Sequence, residues 1–431
     1  MSKNPLQWTS GQKIAFRFFF VFLTLQVITE NFTGNLFGDT LFIWRLGETI
    51  FVQPCLWLNN HLFHFKYIPQ TWTTFSGSLH TIRDTVYLLI TCLACVLWTV
   101  FDRKRPDYNK LYYWFSQCLV VALSCILFAY GIVKVFPVQM VFPSFTRLQT
   151  PVGNLSPFDL LWTTFGYGKP YQSFCGVFEL GGAILVLINR TRVAGLLISG
   201  AVMFNVVILN YTYQVGVLIL SFYILLVILF LLAPYVKQLW RFFFTRQPVV
   251  PFQYAYQPGK SFKVVVFKIV AILFIGTSFI LTLQSAYSRY TRTEGINHSR
   301  QYSLVKNYVV GGDTLKLIEN DSLCWRVWSE RVVDGKRYVS ISTMNPNAYK
   351  TYTFERDSSK RLLTLHPFHQ KDTASLSFSY TGINKIDWRL DGTVNQKQVA
   401  VELQRVNPDT MMNLLKTRRT IIIFDDESDQ E

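Results

Sequence analysis

Two charged residues, each alone in a long apolar stretch, are the plainest candidates for chemistry in this sequence. YGIVKVFPVQM (130–140) places Lys134 near the end of an otherwise apolar run, and YQSFCGVFELGGAILVLINR, starting at Tyr171, carries a single acid, Glu179. A charge inside hydrocarbon needs a partner, so two lone opposite charges in neighbouring spans point to one site. Lys134 lies a few residues before Pro137 and Glu179 about two turns into the next span, which at roughly 1.5 Å per residue gives them similar depths. Two readings follow. The pair is a strut between helices, or it is the charged base of a polar pocket. The pocket reading gains from Gln139, Asn205 and Asn210, which fall at the same ends of their spans, with Tyr130 and Trp162 as aromatic walls.

Other chemically capable residues carry less. Cys92 and Cys95 sit at i and i+3 in TCLAC. That spacing suits thiol–disulfide exchange in a soluble protein, but inside a span two buried apolar thiols are the plainer reading. His61 and His64 lie one turn apart, with His80 further on, and these three are the weak metal candidates. No further ligand stands at fixed spacing, and interfacial aromatic side chains with polar tips are the plainer reading. Gly181, Gly182, Gly195 and Gly200 suit close helix approach. The sequence holds no phosphate loop, no dinucleotide fingerprint, no HExxH and no GxSxG, so the ordinary soluble enzyme classes have no support.

These residues need a membrane to frame them. Half of the 431 residues are hydrophobic, 37 are Phe, and mean hydropathy is +0.23. Seven stretches approach the 18 or more apolar residues needed to cross hydrocarbon: roughly 13–30, 84–101, 112–136, 171–189, 193–210, 215–235 and 263–283. Arg17 interrupts the first and is expected to snorkel to the interface. From Gln284 onward there are 21 Lys/Arg against 18 Asp/Glu, and before it 21 against 8, so the net charge of +16 belongs mostly to the apolar part. Its basic residues gather in alternate loops: Lys3 and Lys13, then Arg103 to Arg105, then Arg190 and Arg192, then Lys237 to Lys263. This bias predicts a cytoplasmic N-terminus and an extracytoplasmic C-terminal domain, with the lipid bilayer as partner and no nucleic acid. The loop stretch 48–65 reads as one or two interfacial helices divided by Pro54. In SPFDLLWTTF (156–165), Ser156, Pro157 and Asp159 suit a helix start. Seven scattered cysteines argue against a disulfide framework.

After Leu283 the pattern becomes alternation. KRYVSIST (336–343), TASLSFSY (373–380), NKIDWRL (384–390) and KQVAVELQRV (397–406) have the half-buried strand period. Asp334-Gly335 and Asp391-Gly392 predict hairpin turns. About eight short strands suit a small closed β-barrel of lipocalin-like architecture. The expected organisation is N-terminal spans with an extracytoplasmic interfacial loop (1–110), a four-helix membrane core (111–235), a basic loop and last span (236–283), the soluble β-barrel (292–424) and an acidic tail (425–431).

One stretch also carries a family resemblance. DRKRPDY (102–108), YGIVKVFP (130–137), Gln139, Pro151, SPFDLLWTTFG (156–166), FELGGAILVLINRT (178–191), MFNVVILNYTY (203–213) and LFLLAPY (229–235) together resemble the DoxX family of bacterial membrane proteins. The chain departs from that pattern at SGSLHT (76–81), where an acid is expected, and at YQVGVL (213–218), where an acid and a base are. The resemblance implies a four-helix membrane bundle in the bacterial inner membrane. It also implies an accessory or quinone-interacting subunit of a redox system, with a redox partner subunit and a small apolar ligand. Quinone is the only cofactor it suggests. A rival from another class is a non-catalytic protein whose bundle anchors the barrel, the barrel itself binding a ligand or partner.

Overall fold

The computed structural model describes residues 8–29, 53–65, 77–245, 248, 252–259, 261–298, 300–315, 324–333, 335–345, 349–368, 375–384, 386–394 and 396–411. Its helices are α1 (Ser10–Thr29), α2 (Gly77–Phe101), α3 (Asn109–Val135), α4 (Pro157–Tyr167), α5 (Lys169–Leu187), α6 (Arg192–Thr212), α7 (Leu218–Leu232) and α8 (Phe262–His298). All but α4 contain, or in the case of α7 begin, a stretch long and apolar enough to cross a membrane, which matches the seven spans expected. The α7 span continues to Thr245 through short helical turns. Helix α8 runs well past the expected end at 283, because the polarity changes there but no proline or early glycine stops the helix.

Helix α3 is the centre of this bundle, with 67% of its span buried, against 6% for the span in α8. One core joins Phe16 and Leu23 of α1, Leu119 to Phe128 of α3, Ala183 and Val186 of α5, Leu196 and Met203 of α6 and Tyr223 to Leu232 of α7. Close approach depends on particular glycines. A Cβ on Gly176 of α5 would lie 2.7 Å from both Gly131 O and Val135 N of α3, and one on Gly195 of α6 would lie 2.5 Å from Val186 N. Gly182 is equally tight against Ser199, whereas Gly181 faces nothing within 4 Å and Gly200 makes only an ordinary contact. The sequence reading thus found two of the four contacts it named and missed the Gly131–Gly176 crossing.

Arg17 does not snorkel. It is 3% exposed and donates to Tyr108 Oη at 2.9 Å, Thr99 Oγ1 at 2.9 Å and the Asp102 carbonyl at 3.1 Å. Asp102 in turn accepts from Tyr108 Oη at 2.8 Å and Trp98 Nε1 at 3.3 Å. Donation from Tyr108 is the main reason its carboxyl sits below the ordinary value, while burial pushes Tyr108 up. The cluster takes three of the five guanidinium donors and sets the Tyr108 ring 5.3 Å from Cζ, so fixed partners supplied by the segment 99–108 hold the charge. Of the stretch 48–65 the described part begins at 53 and is helical from 53 to 58, running into the turn Asn59–Phe63, so the expected division at Pro54 falls at the edge of the described residues. Residues 30–52, 66–76 and 412–431, including most of the interfacial loop and the acidic tail, lie outside the described residues.

The other compact unit takes in Phe142–Ser156 and the chain from Arg289 onward. Within it Phe145 packs on Tyr302 at 5.0 Å and Arg326 donates to the Gln149 carbonyl at 3.0 Å. Its strands are β1 (Gln301–Val310), β2 (Asp313–Thr314), β3 (Trp325–Val333), β4 (Lys336–Thr343), β5 (Tyr349–Asp357), β6 (Leu362–Pro367), β7 (Leu376–Gly382), β8 (Asp387–Val394) and β9 (Lys397–Val406). All pairings are antiparallel. β3 to β9 follow in order and β1 pairs with both β3 and β9, which closes an eight-stranded barrel beside the two-residue β2. Alternation fills its interior with the chain's own side chains, among them Trp325, Trp328, Val339, Leu365, Phe378 and Leu403. Gly335 turns β3 into β4 at φ +75°. The turn expected at Asp391-Gly392 is not there: both lie inside β8, and Gly392 is required because a Cβ would meet the Phe378 ring at 2.5 Å. The chain turns instead at Gln396, φ +64°.

Candidate functional site

Helices α3 and α5 cross at Gly131 and Gly176, and this brings the two lone charges together. Lys134 Nζ donates to Glu179 Oε1, with the residues 8% and 1% exposed. The ammonium also lies 5.7 Å from the Tyr130 ring centroid, one turn earlier on α3. Glu179 Oε2 is buried and meets no donor among the described residues.

Pro137 ends α3 by removing a donor and displacing the preceding residue from helical geometry. Val138 N and Gln139 N both turn back to the Val133 carbonyl at 3.1 Å. Gln172 of α5, fully buried, then holds the following residue by both atoms of its amide. Its Oε1 accepts from Met140 N at 3.1 Å and its Nε2 donates to the Met140 carbonyl at 2.9 Å. Helix α4 closes over the same turn, since a Cβ on Gly166 would come within 2.3 Å of the Val141 carbonyl.

The result is a cavity of about 450 Å³ between these elements and helices α6 and α7. Lys134, Gln139, Glu179, Asn205, Asn210, Tyr130 and Trp162, scattered over four helices and a turn, all line it. Asn210 is buried and donates to Ser221 Oγ at 3.0 Å, which donates to the Leu218 carbonyl at 2.7 Å. Asn205 is exposed, and Trp162 stacks on Phe158 at 4.0 Å. Gln139 Oε1 is buried without a donor among the described residues.

Sequence reading missed Gln172, Cys175 and Ser221, which also line the cavity. A signal for the first was present. Gln172, Gly176, Glu179, Ala183 and Val186 fall at 4-3-4-3 spacing and are the buried stripe of α5, so the glutamine shares the face of the glutamate.

The weaker candidates fall elsewhere. His61 stacks on Trp57 at 4.6 Å and its Nδ1 contacts the Trp57 carbonyl at 2.8 Å. His64 closes that turn in the left-handed region at φ +51°. The His80 side chain lies outside the described residues. Cys95 is buried, with its Sγ 3.7 Å from the Ile14 carbonyl, while Cys92 is exposed on the apolar surface, and both are free thiols. The two are therefore not in one environment.

No family model matches the chain, and no solved structure matches it. Over 106 residues, 24% of its length, it is 36% identical to a Bacillus subtilis (strain 168) protein described as "Uncharacterized protein YwoB", and that stretch spans 66% of the Bacillus protein.

Proposed function

We propose that this protein is a DoxX-type inner-membrane protein whose helical core holds a small, mainly apolar ligand, with the closed barrel joined to it on the extracytoplasmic side. The observation that supports a ligand site is convergence: the polar residues of four separate apolar helices line one cavity around a buried ion pair. Cavities of this volume, mostly apolar with a few convergent polar groups, are the usual form of small-molecule sites. A strut would need the pair alone, not Gln139, Asn205 and Asn210 beside it.

The resemblance to DoxX proteins favours a quinone-type ligand and the role of accessory subunit in a redox system. The alternate basic loops favour a cytoplasmic N-terminus. The rival reading, with the ligand inside the barrel, is not favoured, because Trp328, Leu365 and Phe378 fill that interior.

The test is ligand retention. The double variant Lys134→Met/Glu179→Leu removes both charges together and keeps side chains of similar length. The purified parent is expected to carry an apolar small molecule, read by mass spectrometry of its organic extract, and the double variant to lose it. A folded double variant with undiminished ligand would leave the pair as a strut.

A further inference from the structure

We infer that a second cavity of the bundle holds an anionic phospholipid of the bilayer, one acyl chain in the cavity and the phosphate against Lys237 and Arg241. This cavity, of about 700 Å³, lies between α1, α3, α7 and the segment 252–255, at the end where α1 and α3 begin and α7 ends. It shares no lining residue with the cavity of Lys134 and Glu179. Tyr254 fixes the segment in place by packing on Tyr112 at 5.8 Å and Tyr113 at 5.3 Å.

The lining is graded from polar to apolar. Thr9, Gln12, Asn109 and Gln253 stand at the mouth, whereas Phe19 lies about 10 Å further along α1 than Gln12, at roughly 1.5 Å per residue, beside Leu226 and Phe230 of α7. Ala15 and Leu229 also line the cavity and are exposed, so it opens sideways between α1 and α7 and admits a chain from the bilayer. Two amides at the mouth offer donors only. Asn109 Oδ1 accepts from Trp8 Nε1 at 2.8 Å, and Gln12 Oε1 accepts from Thr9 N at 2.9 Å. An indole or backbone N–H can only donate, so both amide oxygens are taken and Asn109 Nδ2 and Gln12 Nε2 are left for a ligand. Gln12 is exposed and Asn109 half-buried, and no acid is among the described residues that line the cavity. Ester carbonyl and ionised phosphate oxygens, which only accept, are the matching partners.

Charge agrees with this. Leu226, Leu229, Phe230, Ala233 and Pro234 form one face of α7 by their spacing. Lys237 and Arg241 continue that face at steps of three and four through the helical turns that follow. Both are exposed and in no ion pair among the described residues. Two cations just beyond an apolar slot stand where the phosphate of a seated chain falls, and each basic residue at the surface favours an anionic head over a zwitterionic one.

The experiment is native mass spectrometry of the delipidated full chain in detergent, titrated with dioleoylphosphatidylglycerol, dioleoylphosphatidylcholine or oleate. The phosphatidylglycerol is expected to bind about tenfold more tightly than the phosphatidylcholine, which has the same chains. Lys237→Gln together with Arg241→Gln should abolish that preference. Ala15→Trp, or Leu229→Trp should the first not fold, fills the slot and should lose the bound phospholipid. Equal binding of the two phospholipids, or a preference that survives the loss of both cations, would overturn the assignment of the head group. Oleate bound as tightly as the phosphatidylglycerol would overturn it in favour of a free fatty acid. Binding indifferent to both wall variants would place the lipid on the outer surface of the bundle and overturn the site, as would binding of neither phospholipid.

Discussion

Breaking the Lys134–Glu179 pair from one side should cost far more than removing it whole. Both residues are nearly inaccessible, and the helices that carry them pack closely, with Gly176 against the α3 backbone at Gly131 and Val135. Lys134→Met strands a carboxylate whose second oxygen already lacks a donor among the described residues, and Glu179→Leu strands an ammonium. Each single change is expected to destabilise by about 3–5 kcal/mol, the usual consequence of an uncompensated buried charge. The double change replaces two charges by apolar groups of similar length, so it should fall close to the parent. The coupling between the two sites is then several kcal/mol and of the sign that makes the double variant more stable than the sum of the singles. Thermal unfolding of parent, singles and double in one detergent, followed by tryptophan fluorescence, reads the cycle. Singles that unfold like the parent would refute the burial argument. A double variant as unstable as the two losses added would refute the pairing.

Gly176→Ala should destabilise by about 1–3 kcal/mol, since its methyl would enter the α3 backbone, whereas Gly181→Ala, which meets nothing within 4 Å, should be neutral or stabilising in the same unfolding assay. The folded-state value of the Asp102 carboxyl is depressed, chiefly by Tyr108, so its contribution to stability is present above the unfolded value and lost as pH falls through the folded one. The stability gap between parent and Asp102→Asn should therefore narrow below about pH 4, and a gap constant from pH 6 to 3 would contradict the assignment. A fragment from residue 296 to 424 should unfold cooperatively with β-type circular dichroism, because the closed sheet carries its own core, and Trp328→Ala within it should cost about 3–5 kcal/mol. A membrane-impermeant thiol reagent on spheroplasts should label a cysteine placed at Ser379 and not one at Lys104, both exposed positions; the opposite labelling would reverse the topology.

The seven spans and the barrel strands were legible in the sequence because each depends on local polarity: continuous apolar runs in one part, period-two alternation in the other. Lys134 and Glu179 were legible for the same reason, since a lone charge in an apolar run stands out without knowledge of its neighbours. Tertiary structure alone decided what those charges touch. The α3–α5 crossing is set by Gly131 against Gly176, and a glycine's spacing does not say which backbone it will admit. Gln172 reads as one polar residue at a helix start, yet it fixes the turn after Pro137 through both atoms of its amide. Arg17 reads as a snorkelling charge until the segment 98–108, far along the chain, supplies its acceptors. Asp391-Gly392 has the composition of a turn but the environment of a strand, because the Phe378 ring occupies the place of a side chain. Local propensity is fixed by a residue and its near neighbours, whereas partners for buried polar atoms and room for a Cβ are fixed by whatever part of the chain packs there.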